Sequence, residues 1–132
     1  MRVEFSIANR LDEIVRVHSE LTTLLEGSGC VQELIDEMCL IAEEVLVNII
    51  SHGFEPNTEA EIQFLFDDQQ DHYALEFRDC GIAYNPLEAD ERPEGKVGGW
   101  GIPLVVELCE QVDYRFESEQ NVLRLTVAKR EK

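Results

Sequence analysis

Basic residues are scarce in this sequence: 11 lysines and arginines stand against 28 aspartates and glutamates, a formal net charge of −17 over 132 residues. Phosphate backbones and anionic lipid repel such a chain, which argues against nucleic acid and membrane surfaces as partners. Cysteine is sparse and scattered. Cys30, Cys39, Cys80 and Cys109 form no CxxC pair and no cluster with histidine. Neither a zinc site nor a disulfide framework is expected, and a reducing cytoplasm is the simplest home. No apolar run approaches membrane-spanning length, and the amino terminus, MRVEFSIANR, lacks a signal-peptide core. The GxxxxGK[ST] and GxGxxG nucleotide signatures are both missing. There are no repeats, linkers or low-complexity segments, and the length fits a single domain over residues 1–132.

What is present is an ordinary globular pattern, with 44% hydrophobic residues. Val3, Phe5 and Ile7 alternate with polar residues as in a strand. Asn9 is placed to cap a helix with apolar positions Leu11, Ile14, Val17, Leu21 and Leu24. After EGSGC a second helix is expected from about Val31 to Ser51, closed by Gly53. Ile62, Phe64 and Phe66, then Tyr73, Leu75 and Phe77, alternate across DDQQDH as a hairpin with one buried face. From Asp79 to Gly101 the chain is rich in glycine and proline and has no apolar period, which reads as a functional loop. A short helix from Ile102 and two further strands, around Val112–Glu117 and Val122–Val127, complete the chain. Hairpin-linked strands with helices between them imply an α+β fold, a two-layer sandwich whose antiparallel or mixed sheet carries helices on one face.

Three segments carry candidate chemistry. The first, EEVLVNIISHGF, sets Glu44 and Asn48 one turn apart on one helix face, with Glu37 on the same edge. An amide oxygen suits Mg²⁺, and a nearby carboxylate can take a proton from an attacking hydroxyl. Taken alone, a polar pair at that spacing is usually a solvated rim. The second, RDCGIAYNP, ends a strand in Asp79 and places Gly81 two residues on. A carboxylate there can accept from the amino group of adenine, and the glycine lets backbone approach the base. An ordinary turn has the same composition. The third, GKVGGWGIPLVVEL, runs a glycine-rich loop into a helix, where free amides can cradle phosphate. A plain linker reads alike. His52 is read as a helix-end residue, and His18 and His72 as surface residues.

In this order and spacing the three segments resemble the N, G1 and G2 boxes of the GHKL ATPase superfamily, and among its members the small anti-sigma factor serine kinases. The resemblance covers nearly the whole chain. It implies a Bergerat-type sandwich binding ATP or ADP with Mg²⁺. Glu44 would be the catalytic base and Asn48 the magnesium ligand. Asp79 with Gly81 would be the adenine contact and Gly99 and Gly101 part of the phosphate cradle, with Ala83, Lys96 and Gly98 also among the nucleotide-binding residues. It further implies a serine/threonine kinase that phosphorylates a STAS-domain anti-sigma antagonist and sequesters a sigma factor, with homodimerisation allowed. The sequence departs from the pattern at Ala83, where many relatives carry glycine, and at Trp100. Arg92 and Lys96 are the only basic residues between Asp79 and Gly101. These departures support an alternative, a regulatory module that binds ATP to switch partner binding without catalysis.

Overall fold

The computed structural model describes residues 1–55, 58–87 and 101–130. The elements are β1 (Arg2–Ala8), α1 (Glu13–Gly27), α2 (Gln32–His52), β2 (Glu61–Asp68), β3 (His72–Asp79), α3 (Gly101–Leu108), β4 (Gln111–Glu117) and β5 (Gln120–Ala128). This is the order read from the periodicities. The strands form one sheet, β1-β2-β3-β5-β4, and every neighbouring pair is antiparallel. The fold is therefore α+β, with no parallel pair among the described residues.

α2 is the spine of the helical layer, in contact with α1 and with α3. Leu34, Ile35, Met38, Ile41, Val45, Leu46 and Ile49 recur at helical spacing and are all buried against the sheet's Phe64, Phe66, Leu75, Phe77 and Leu125. Burying one such side chain is worth about 1.5–3 kcal/mol, so this face alone anchors helix to sheet. Glu37, on the edge that also carries Glu44 and Asn48, is drawn off to the carboxy-terminal end of the chain. Arg130 holds both of its oxygens, at 2.5 and 2.8 Å, and keeps its carboxyl below the usual range.

Two local expectations change. Asn9 does not cap α1, which begins at Glu13 after Asp12 and has no side-chain cap. Asn9 continues the β1 edge instead: its backbone N–H donates to Ala60 O at 2.9 Å and its Nδ2 to Thr58 O at 3.0 Å. Leu11 then lies outside the helix and is 56% exposed. The junction is held by Glu13, whose carboxylate accepts from Arg16 Nη2 at 2.8 Å and from Ala8 N at 2.9 Å. The Arg16 guanidinium, helped by that N–H, pulls the Glu13 carboxyl down to about 2. A depressed carboxyl stabilises the fold above its unfolded value, and that contribution is lost as the pH falls towards 2.

The second change concerns β3, which is buried on both faces and not on one. Glu76 points to the outer face yet is 5% exposed. Arg78 Nε donates to it at 2.7 Å and Arg124 Nη1 at 3.5 Å. The stem of Arg78, two residues on in β3 itself, and that of Arg124, from the neighbouring β5, lie over it.

β4 and β5 are joined by Ser118 and Glu119 alone, and both have positive φ, 51° and 62°. A two-residue hairpin turn with both φ positive is the type I′ geometry, which favours Asn-Gly. Replacing Ser118 by Asn and Glu119 by Gly should therefore raise stability by ~1–2 kcal/mol, the usual cost of left-handed non-glycine residues. Urea unfolding of the double variant checks this, and an unchanged or lower midpoint would count against it.

Candidate functional site

The site forms where the carboxy-terminal half of α2 passes the ends of β3 and β5. Glu44 and Asn48 stand on the edge of the apolar arc of α2, half-buried. Neither has a hydrogen-bond or ion-pair partner among the described residues. Asn48 lines a cleft with about 360 Å³ of empty space. Glu44 lies one turn earlier, against the first residue of α3. A Cβ added to Gly101 would overlap Glu44 Oε2, so glycine at this helix start leaves room for the carboxylate.

At the other end of the cleft, Asp79 closes β3 and is 4% exposed. Its Oδ1 accepts from Gly81 N at 2.9 Å and from Asn121 Nδ2 at 3.0 Å. Its Oδ2 has no partner among the described residues, and the residue lines the cleft. Burial pushes the Asp79 carboxyl up, and the bonds from Gly81 and Asn121 work against that shift.

Glycine at position 81 is demanded by protein backbone. A Cβ there would overlap the carbonyl oxygen of Gly53, which accepts from Ile82 N at 3.0 Å. Gly53 is itself constrained in an ordinary right-handed conformation (φ −81°), not the left-handed cap expected after a helix. A Cβ on it would stand 2.7 Å from Ile49 O. The two glycines let the end of α2 and the turn after β3 touch through backbone alone.

Ala83 is exposed, and the cleft wall passes through its neighbours Ile82 and Tyr84. Lys96, Gly98 and Gly99, together with Arg92 and Trp100, lie outside the described residues. Residues that the motifs did not reach also line the cleft: Tyr84, Pro86, Tyr114 and Asn121. The sequence signal for Asn121 was slight, a polar residue at an inward-facing position of β5. His52 ends α2 and is exposed, with its ring 5.8 Å from that of Tyr84.

The sequence pattern of the histidine kinase-like ATPase domain matches residues 7–127, from β1 to β5. The chain belongs to that family. A histidine kinase-like ATPase domain is an ATP-binding domain. Among related proteins is the serine/threonine-protein kinase BtrW of Bordetella bronchiseptica. It is 30% identical over 95 residues, 67% of this chain and 67% of its own. Among solved structures, the histidine kinase domain of the Erythrobacter litoralis EL346 blue-light activated histidine kinase has the same fold, with a TM-score of 0.56 at 16% identity. That likeness takes in 89% of this chain and 59% of the other, so the ATPase domain described here spans well under two thirds of it. No helix among the described residues is long and apolar enough to cross a membrane.

Its motif assigns Asp79 to the nucleotide base, and a substitution tests that assignment. Asp79→Asn keeps an oxygen for Gly81 and Asn121 while turning the cleft-facing group from acceptor to donor. Adenine nucleotides should weaken by ~1–3 kcal/mol, the cost of a mispaired buried group. Stability at neutral pH should hold or rise. A carboxyl whose folded pKa is raised favours the fold below its unfolded value and loses that contribution as the pH rises through the folded one. Calorimetry paired with thermal melts checks both, and unchanged nucleotide affinity would remove Asp79 from the base contact.

Proposed function

We propose that this chain is an ATP-dependent protein serine/threonine kinase of the anti-sigma type. It phosphorylates a serine or threonine of a STAS-domain antagonist and, when unopposed, sequesters a sigma factor in the cytoplasm. The observation that carries this reading is a pair of half-buried polar side chains on α2, Asn48 lining the cleft and Glu44 one turn before it, neither with a hydrogen-bond or ion-pair partner among the described residues. Polar groups at such a boundary are normally satisfied. Here they are available to a ligand and a nucleophile. The kinase relative at 30% identity supports the same chemistry.

Asn48 would hold Mg²⁺ through its amide oxygen. Among the described residues no group of three His, Cys, Asp or Glu could hold a metal. That suits an ion that keeps its waters and takes its other oxygens from phosphates. When bound, magnesium supplies charge neutralisation at the phosphates. The work left to the protein is positional. Glu44 takes the proton of the attacking hydroxyl as its oxygen bonds to the γ-phosphorus, and ADP leaves. Gly101 keeps that carboxylate unobstructed.

A second reading, an ATP-binding switch without transfer, is favoured by the distribution of cations. Every described lysine and arginine is paired with a carboxylate, as Arg124 is with Glu76 and Asp67 and Lys129 with Asp68. No described basic side chain is left for the phosphates.

Glu44→Gln separates the two readings. It preserves shape and hydrogen bonding, so nucleotide affinity should stay close to wild type while phosphoryl transfer to a STAS-domain partner falls by about 10²–10⁴-fold. Transfer by the variant at the wild-type rate would refute the base assignment. A wild type that transfers nothing, yet binds its partner in an ATP-dependent way, would select the switch.

Asn48→Ala should abolish the magnesium dependence of ATP binding, because it deletes the amide oxygen. Titrations with and without magnesium test this, and a wild-type magnesium response would make Asn48 a rim residue.

A further inference from the structure

Asn121, the second residue of β5, is 6% exposed, and its amide is saturated at both ends. Its Nδ2 donates to Asp79 Oδ1 at 3.0 Å and to Ile82 O at 2.9 Å, with a longer contact to Gly81 O at 3.4 Å. Its Oδ1 accepts from Tyr84 N at 3.1 Å and from the Tyr114 hydroxyl. Two donor protons and two lone pairs are all an amide has. The orientation is also forced. The backbone N–H of Tyr84 can only donate, and the carbonyl of Ile82 can only accept, so turning the amide over would set donor against donor and acceptor against acceptor.

This arrangement fixes the carboxylate beside it. Asp79 Oδ1 is occupied by two protein donors, Gly81 N and Asn121 Nδ2. With that oxygen pinned the group cannot rotate freely, and Oδ2 is the one that remains for a ligand. We propose that Asn121 is the positioning residue that sets the base specificity of the site. By holding Asp79 Oδ1 it presents Oδ2 as a fixed, single acceptor, which matches the amino group of a 6-aminopurine and opposes the oxygen of a 6-oxopurine. The inference rests on the nucleotide reading of the cleft and adds its selectivity. A site built around one hydrogen bond to a ligand discriminates strongly against an analogue that cannot make it.

The test compares ATP with inosine triphosphate, which carries oxygen where ATP carries the amino group. Affinities are measured by calorimetry for the wild type, Asn121→Asp and Asn121→Ala. Asn121→Asp keeps an acceptor for Tyr84 and Tyr114 but turns an oxygen towards Asp79. Asn121→Ala removes the donor and adds no charge, so it serves if the first variant fails to melt cooperatively. The wild type should prefer ATP. In the variants ATP should weaken by about tenfold or more, the scale of one lost pairing to a charged group, while inosine triphosphate changes by less than about threefold. The preference for ATP should then shrink accordingly. Equal losses for both nucleotides would make Asn121 a scaffold of the turn and overturn the proposal, as would an unchanged preference. Wild-type protein that binds both nucleotides equally also overturns it. Wild-type protein that binds neither removes the nucleotide reading itself, and this inference with it.

Discussion

The carbonyl oxygen of Gly53 accepts from Ile82 N at 3.0 Å, and this contact sets how close the end of α2 stands to the end of β3. Side chains are excluded from it on both sides, since a Cβ on Gly81 would overlap that oxygen and one on Gly53 would press on Ile49 O. The consequence reaches the whole site. Once the helix end is tied to the turn, Asn48 of α2 and Asp79 of β3 line one cleft, together with the apolar Ile49 and Phe77. A side chain at either glycine would push the layers apart beside the cleft.

α2 performs two tasks that pull in different directions. Its apolar arc is buried to the last turn, which holds the helix rigid on the sheet. Its edge carries Glu44 and Asn48, half-buried and without hydrogen-bond or ion-pair partners among the described residues. A helix packed rigidly on one face holds the groups on its edge in fixed positions, as the proton transfer proposed for Glu44 requires. Glu37, two turns before Glu44 and on the same edge, shows the structural use of such a position, tied to Arg130 and removed from the site.

Charge is distributed by the same logic. The acidic excess is large, and the described arginines and lysines are spent on neighbouring carboxylates, above all Arg78 and Arg124 over the buried Glu76. Those pairs let the central strand bury a glutamate on its outer face, since a buried charge persists only with partners. An anionic ligand entering the cleft therefore meets no lysine or arginine among the described residues that is not already paired with a carboxylate.

Much of this was legible in the sequence, and the limit has a physical cause. The element order and type followed from local periodicities of two and of 3.6 residues, and the Glu44–Asn48 juxtaposition from helix geometry alone. Asp79 and Gly81 were marked by a strand ending in a turn. Asn9 was misread because a residue suited to capping was needed more by the strand edge, where Ala60 and Thr58 supply its partners. The role of Gly53 and Gly81 was legible only as composition, since their reason is each other, brought together across the packed layers. Asn121 was out of reach for the same cause. It stands 42 residues from Asp79, and nothing in either segment announces the other. The antiparallel register of β3 with β5 sets Asp79 opposite Asn121, and a hydrogen bond of 3.0 Å exists only after that register has formed.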